Sequence, residues 1–176
     1  TYEIDGKTIA IADDTITKAI TLFRHMMPQT PALEIKVKKM IPMGGGLGGG
    51  STDAASIIKF LNKQFGPMRP QMVQTIAVAV GADVSFFLGK GPALVQGIGE
   101  ILTDRIIQKL PLVVCRPPVQ IPTSQAYGWF DEEQRLTPRS GNATTLPKVG
   151  SHVSITAREI VENLHNDLES VVEARH

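Results

Sequence analysis

The sequence predicts an α+β fold, and three observations support that class. Apolar residues in the first half of the chain recur at the three- and four-residue spacing of amphipathic helices. The second half carries short β-type segments separated by glycine and proline. Helices and strands do not alternate in a regular βαβ rhythm, so a doubly wound sheet is not predicted.

Four elements are predicted before residue 82. They are a helix over 15–27, a strand over about 33–41, a helix over about 51–64 and a helix over about 70–80. Asp13 and Asp14 give the first helix an acidic start, which suits the positive end of the helix dipole. Pro70 at the start of the third helix and Gly81 after its last turn are typical of helix ends.

The later elements are shorter. Predicted are β-type segments at 84–88, 92–96, 100–103 and 112–116, a short helix over 123–130 and a helical segment over about 157–164. Thr123 is suited to cap the short helix. The stretch 131–151 is polar and interrupted by proline and glycine, so it is predicted to be a loop.

The composition is that of one globular domain with a sizeable core, since 42% of the 176 residues are hydrophobic and 20% are charged. The formal net charge of +1, without a long block of like charges, does not indicate nucleic-acid or membrane partners. Cys115 ends an apolar run and is predicted to be a buried thiol, and the four histidines lack metal-ligand spacing. Without a signal peptide or an apolar run near the roughly 18 residues of a membrane span, the expected location is cytoplasmic, or plastid stroma in a eukaryote.

A run of glycines is the most informative feature of the chain, with six glycines in the seven positions 44–50. The run joins the predicted strand to the N-terminus of a predicted helix. The unpaired amides of a helix N-terminus, its partial positive charge and the lack of side chains all favour a bound phosphate. The run therefore predicts a loop that binds nucleotide phosphates.

Other glycine-rich structures fit this run less well. A flexible linker is disfavoured because an apolar strand and an apolar helix flank the run. A Rossmann fingerprint through Gly44, Gly46 and Gly49 needs an acidic residue about twenty positions on, and the stretch 65–70 has none. A Walker A loop has Lys where this chain has Ser51. The V-A-I-K, H-R-D and D-F-G segments of protein kinases do not occur.

Asp83 is the second candidate site residue, because it stands between an apolar helix and a predicted apolar strand. A carboxylate there could accept the proton of an attacking hydroxyl during phosphoryl transfer. An Asp that only finishes the turn after Gly81 fits the spacing as well. Lys36, Lys38 and Lys39, near the loop, are interpreted as the solvated face of the strand.

Several motifs resemble those of the GHMP kinases, the family of galactokinase, homoserine kinase and mevalonate kinase. They are the stretch from Pro42 to Ala55, which resembles the ATP-binding loop, Gly81-Ala82-Asp83-Val84, Gln96-Gly97-Ile98-Gly99-Glu100, Pro117-Pro118-Val119 leading to Thr123 and Tyr127, and Asn166-Asp167-Leu168-Glu169. The resemblance covers about residues 10–172. It implies the two-layer α+β arrangement of the ribosomal protein S5 domain 2-like fold in incomplete form. Residues 1–120 would be part of the ATP-binding domain, and 121–176 the start of a C-terminal domain.

The doubled glycine loop is most similar to the branch of this family that phosphorylates the 2-hydroxyl of a cytidine-diphosphate-linked methylerythritol in non-mevalonate isoprenoid biosynthesis. The resemblance implies ATP and Mg²⁺ as cofactors and that methylerythritol compound as the small-molecule partner. Asp83 would be the catalytic base, and Tyr127 would stack on cytosine. Either Ser51 or Thr52 would reach Mg²⁺ or the β-phosphate, and Ser51 would be the metal ligand. Asp53 would stabilise the first helical turn while pointing away from phosphate. The implied cofactor-binding residues are Pro42, Met43, Gly44, Gly45, Gly46, Leu47, Gly48, Gly49, Gly50, Ser51 and Thr52.

Parts of the family pattern are absent from the sequence. The Pro-x-x-Lys-x-Asn-Leu, Asp-Gly-Tyr-His and Gly-Thr-Gly-Ala segments do not occur, and the family's Asp-Asn-Leu reads Asp14-Thr15-Ile16. The expectation is a chain that lacks both ends of the enzyme and has weak or no kinase activity alone. Two alternatives remain open, namely a nucleotide-binding module without catalysis and a GHMP kinase for another alcohol, such as homoserine or a mevalonate derivative.

Overall fold

Helices and short strands make up the part of the chain that the structure, a computed structural model, describes: residues 2–4, 7–9, 14–42, 44–115, 119, 121–136 and 154–175. In chain order they are β1 (Tyr2–Ile4), β2 (Lys7–Ile9), α1 (Thr15–Met26), β3 (Val37–Lys38), α2 (Gly49–Phe65), α3 (Pro70–Val80), α4 (Ala82–Leu88), β4 (Ala93–Gln96), β5 (Ile101–Asp104), β6 (Ile106–Ile107), α5 (Thr123–Leu136), β7 (Ser154–Ile155), α6 (Ala157–Glu162) and α7 (Glu169–Glu173). This mixture confirms the predicted α+β class.

The chain divides into two compact units. The first comprises residues 1–43 and 47–104, and the second comprises residues 44–46 and 105–176. The division between an ATP-binding domain and a C-terminal domain at about residue 120 stays a prediction.

Helices α1, α2 and α3 of the first unit lie where the sequence predicts them. Asp14 caps α1, because its carboxylate accepts a hydrogen bond from the amide of Thr17 at 2.8 Å. Helix α3 begins at Pro70, and the following Gly81 donates its amide to the carbonyl of Ala77. The local signals at these helix ends were therefore sufficient to predict their positions.

The core of the first unit lies between helices α1 to α4. Its fully buried large side chains come from three of them and include Phe23 of α1, Ile58 and Leu61 of α2 and Val84 of α4. Buried alanines lie between these side chains at Ala19, Ala54, Ala55 and Ala77. Because alanine is small, it allows neighbouring helices to approach one another closely.

Two small sheets belong to the first unit. In one, β1 is central, antiparallel to β2 and parallel to β3. In the other, β4 and β5 form an antiparallel hairpin in which Gln96 pairs with Ile101. Its turn contains two glycines with positive φ, Gly97 at 69° and Gly99 at 104°. Strands β1 and β2 carried no signal that the sequence analysis recognised.

The predicted strand over 84–88 is wrong, because residues 82–88 form helix α4. A short apolar run fits a buried helical turn as well as a buried strand, so periodicity does not distinguish them. Here Val84 is fully buried in the core among the other helices, which favours the helical conformation. As a result Asp83 lies in the first turn of a helix and not in a link between a helix and a strand.

Four other expectations are corrected. The strand predicted over 33–41 is much shorter and comprises only the two residues of β3. No strand covers 112–115, and the nearest preceding strand is β6. The predicted loop over 131–151 begins too early, since α5 continues to Leu136; residues 137–151 lie outside the described residues. Cys115 is exposed, not buried. The segment 112–115 makes no strand pairing that would cover its side chains.

In the second unit, helices α5 and α7 pack together through the buried Ala126 and Val171. The guanidinium of Arg175 lies 5.2 Å from the ring centroid of Trp129, which is close enough for a cation–π contact. Strands β6 and β7 pair in parallel, and α6 begins with a capping box formed by Thr156 and Glu159.

Candidate active site

The glycine loop ends in a helix N-terminus without a side-chain cap. Helix α2 begins at Gly49, two residues earlier than predicted, and its N-cap Gly48 has a left-handed backbone with φ of 67°. The first helical hydrogen bond runs from the amide of Thr52 to the carbonyl of Gly48 at 2.8 Å. The amides of Gly49, Gly50 and Ser51 therefore precede the helical ladder, and no side chain caps them. Such amides can bind an anion.

Two further glycines of the loop also have positive φ, 68° at Gly44 and 66° at Gly46. Non-glycine residues adopt this conformation only at a cost, so the alternation of left-handed glycines explains why the run needs this residue type. Met43, which is also among the expected cofactor-binding residues, lies outside the described residues. Pro42 and Leu47 are exposed.

The N-cap of α2 packs directly against α4. A Cβ placed on Gly48 would stand 2.7 Å from Cζ of Phe87, so a larger residue at this position would require the ring to shift. Phe87 is held in turn by an edge-to-face contact with Phe86, with ring centroids 5.2 Å apart. The end of the glycine loop therefore packs on helix α4.

By its spacing along α4, Asp83 shares a helix face with Phe87. It precedes Phe87 by four residues, and side chains four apart in a helix lie on the same face with Cβ atoms about 6 Å apart. The Asp83 side chain is exposed, so it is accessible to a bound substrate. The structure therefore brings the predicted base within about one helical turn of the residue that supports the loop.

The two hydroxyls at the start of α2 differ in their hydrogen bonds. Thr52 donates its hydroxyl to the carbonyl of Gly48 at 2.9 Å, one turn earlier in the chain. Among the residues that the structure describes, the hydroxyl of Ser51 has no hydrogen-bond partner, and the residue is half-buried at the helix N-terminus. Of the two, Ser51 is therefore the better placed to bind an added oxygen ligand or cation.

Helix α1 is hydrogen-bonded to the first turn of α2. The hydroxyl of Thr15 donates to the carbonyl of Gly50 at 2.9 Å. Asp14 is occupied as the α1 cap. Asp14 therefore caps α1, and Thr15, which stands where the family pattern has Asn, joins α1 to α2.

Two expectations about charged residues near the loop need correction. Lys36 and Lys38 are exposed as expected, but the side chain of Lys39 is only 8% exposed and its ammonium contacts the carboxylate of Asp53. Asp53 is the fifth residue of α2 and lies beyond its first turn, because the helix begins at Gly49. Asp53 therefore pairs with Lys39 and does not stabilise the first turn of α2.

The β4–β5 hairpin rests on the start of α4. The amide of Gly99 donates to the carbonyl of Gln96 at 3.3 Å, and the carboxylate of Glu100 accepts the amide of Ile98 at 2.6 Å. Gly99 is buried against Ala82, the residue directly before Asp83. The motif at 96–100 thus supports the backbone that carries the predicted base.

Tyr127 lies on α5 in the second unit. Its side chain is 55% exposed, while its neighbour Ala126 is buried in the contact between α5 and α7. The ring is therefore free to stack on a planar ligand, as the expectation for Tyr127 requires.

The described residues contain no cage of their own for a metal ion, since no three His, Cys, Asp or Glu side chains there are grouped to hold one. No helix in the described ranges is long and apolar enough to cross a membrane.

Three residues of this site were missed by sequence reasoning. Lys39 was read as solvated, Phe87 was placed on a strand, and Gly99 was assigned no role although its motif was recognised. The four-residue spacing of Asp83 and Phe87 is a signal that would have linked them if the segment had been treated as helical. The burial of Lys39 depends on a contact 14 residues away and has no comparable local signal.

Comparisons with known proteins agree with this geometry. The family described as GHMP kinases N terminal domain matches residues 14–91, which include the loop, α2, α3 and α4. A protein of Thermoanaerobacter pseudethanolicus named 4-diphosphocytidyl-2-C-methyl-D-erythritol kinase is 36% identical over 165 residues, which is 93% of this chain and 56% of that protein. The protein of the same name from Symbiobacterium thermophilum is 33% identical over 96% of this chain and 60% of its own length.

A solved structure gives the same result. The crystal structure of 4-(cytidine 5'-diphospho)-2C-methyl-D-erythritol kinase matches 96% of this chain and 59% of its own chain, with a TM-score of 0.69 and 26% sequence identity. The fold, the glycine loop and the matched segment together place the chain among the GHMP kinases. Within that superfamily, the curated relatives and the solved structure to which it is similar are named as kinases of 4-diphosphocytidyl-2-C-methyl-D-erythritol. The chain spans a little over half the length of these relatives.

Proposed function

We propose that this chain carries the nucleotide-binding and base-supplying part of a kinase that transfers the γ-phosphoryl group of ATP to the 2-hydroxyl of 4-diphosphocytidyl-2-C-methyl-D-erythritol. The observation that carries the proposal is the packing of Gly48 on Phe87. This contact places the uncapped amides of α2 beside the helix that presents Asp83. A phosphate cradle and a carboxylate on adjoining helices are the parts that phosphoryl transfer requires.

The amides of Gly49, Gly50 and Ser51 bind the phosphates of ATP in this proposal, and the glycines let the main chain approach them closely. Asp83 accepts the proton of the attacking 2-hydroxyl as the new O–P bond forms and ADP leaves. Mg²⁺, when bound, neutralises charge on the phosphates, with the hydroxyl of Ser51 as the protein oxygen nearest the helix start. Tyr127 stacks on the cytosine ring through its exposed face.

The first test separates binding from catalysis. We expect the wild-type chain to bind a non-hydrolysable ATP analogue in a calorimetric titration. Asp83→Asn should leave that affinity within about twofold, because the exposed carboxylate is not part of the phosphate cradle. In Asp83→Asn, the turnover should be lower by about 100-fold or more than any turnover of the wild-type protein, because a positioned base usually contributes at least this factor. Asp131→Asn removes an exposed carboxylate on α5 and serves as the control.

The second test concerns the acceptor. Cytidine nucleotides should compete with the acceptor substrate for its site. Tyr127→Ala should abolish this competition and leave the affinity for the ATP analogue unchanged. Tyr127→Phe keeps the aromatic ring and should retain the competition. Competition that survives in Tyr127→Ala would contradict the stacking role, and a preference for homoserine or a mevalonate derivative would contradict the substrate.

Nucleotide binding without catalysis is the alternative to phosphoryl transfer, because the uncapped amides of α2 can bind phosphate whether or not a reaction follows. Binding of the ATP analogue with no measurable turnover by the wild-type chain would favour this function. Turnover by the wild-type chain near the level of its longer relatives would exclude it.

A further inference from the structure

The ammonium of Lys39 is buried beside the first turn of α2. Its side chain is only 8% exposed, and it contacts the carboxylate of Asp53, which is 31% exposed. The nitrogen also lies 3.7 Å from the point where a Cβ on Gly49 would stand. Gly49 and Asp53 are four residues apart and share a face of α2, so Lys39 lies along the face that begins at the uncapped amides.

Asp53 poses an electrostatic problem for a phosphate site. It is four residues beyond Gly49, and at the rise of an α-helix this places it about 6 Å along the axis from the helix start. A carboxylate at this separation repels a bound phosphate, and the repulsion is stronger in a partly buried position than in water. The lysine contact removes this net negative charge from the helix start.

We propose that Lys39 is a positioning residue of the nucleotide site, whose ammonium neutralises Asp53 and holds the first turns of α2 against the chain that follows β3. This inference rests on the proposed function, because it concerns the phosphates that the α2 amides bind. Lys39 acts through Asp53 in this account and does not itself bind the nucleotide. Lys36 and Lys38, which are exposed, do not share the role.

A four-protein comparison tests the pairing. Lys39→Met keeps most of the stem and removes the charge, Asp53→Asn removes the carboxylate charge at almost constant shape, and the double variant removes both. We expect Lys39→Met to weaken the affinity for a non-hydrolysable ATP analogue by about three- to tenfold. Asp53→Asn should bind at least as tightly as the wild type, and the double variant should return to within about twofold of it. Lys38→Met, at an exposed neighbouring position, is the control and should bind as the wild type does.

Thermal unfolding of all the variants provides a second readout. Because Lys39→Met leaves a partly buried carboxylate unpaired, it should lower the unfolding temperature, and adding Asp53→Asn should recover part of the loss. Should Lys39→Met fold poorly, Asp53→Asn alone decides the matter, since weakened nucleotide binding in that variant overturns the inference.

The outcomes separate this inference from the proposed function. A double variant that binds no better than Lys39→Met shows that the ammonium itself is required, and so overturns the indirect role. Wild-type affinity in Lys39→Met overturns it as well. A wild-type chain that does not bind the ATP analogue overturns the proposed function and the inference together, whereas wild-type binding with an unrescued double variant overturns the inference alone.

Discussion

Gly99 lies against the backbone carbonyl of Ala82, so closely that a Cβ on Gly99 would stand 2.4 Å from that oxygen. The contact joins the turn of the β4–β5 hairpin to the first turn of α4, directly before Asp83. Because a backbone atom cannot move aside like a flexible side chain, this position accepts only glycine. The hairpin therefore helps to determine where the predicted base stands.

Gly99→Ala should lower the free energy of unfolding by about 1–3 kcal/mol, since it combines the close approach to Ala82 with a φ of 104°. If α4 shifts to relieve the contact, the rate of any phosphoryl transfer should also fall, with less effect on nucleotide affinity. Chemical denaturation measures the first effect. Gly91→Ala is the control, because no atom lies within 4 Å of its added Cβ. If Gly99→Ala were as stable as the wild type and Gly91→Ala, the close contact between Gly99 and Ala82 would be contradicted.

Gly48→Ala should destabilise the loop more than Gly46→Ala does. The two glycines have nearly equal φ, 67° and 66°, but only Gly48 faces the ring of Phe87. The strain of positive φ is therefore common to both variants, and the difference of about 1–3 kcal/mol in unfolding free energy reports the overpacking alone. Combining Gly48→Ala with Phe87→Leu should remove much of this difference. Equal losses in the two single variants would show that Phe87 yields without cost.

Ser85→Ala should stabilise the protein. The hydroxyl of Ser85 is fully buried on α4 and has no hydrogen-bond partner among the described residues. Removing an unsatisfied buried hydroxyl should raise the unfolding free energy by about 1 kcal/mol. Ser56→Ala, at an exposed position of α2, gains the same helix propensity but also loses the hydrogen bond that its hydroxyl donates to the carbonyl of Thr52, so it shows the effect of removing a paired hydroxyl. A loss of stability in Ser85→Ala larger than in Ser56→Ala would mean that the hydroxyl has a partner.

The apolar run Leu112 to Val114 should make the chain associate at high concentration. The three side chains are 80%, 91% and 67% exposed in turn, although large apolar residues seldom lie side by side on the surface of a monomer. Val113→Lys should shift the sedimentation coefficient of concentrated protein towards the monomer value. Gln125→Lys adds the same charge at another exposed position of the second unit and should not. A concentration-independent monomer in the wild type would contradict this expectation.

Local patterns predicted most of the helical framework. Helix α1 has an acidic cap and a clear apolar stripe, and α3 has a proline at its start and a glycine at its end, so their bounds could be read within a residue or two. Residues 84–88 could not be read in this way, because a short apolar run has no distinctive period. Their helical state follows from the burial of Val84 among the other helices.

The candidate site was predictable only in part. The glycine run and Asp83 were recognised as separate features, and their functional roles stay proposals. Their proximity depends on the packing of Phe87 on Gly48, two residues 39 positions apart. The burial of Lys39 depends in the same way on Asp53, a residue of another element.

The spacing and order of residues along the chain were enough to predict the α+β class, the first three helices and the resemblance to the GHMP kinases. The packing of distant segments was needed to show that Asp83 lies in the first turn of a helix, that Lys39 contacts Asp53 and that Gly99 lies against Ala82. Each of these depends on which surfaces meet between distant segments, and that is settled by burial and close packing, not by local propensity.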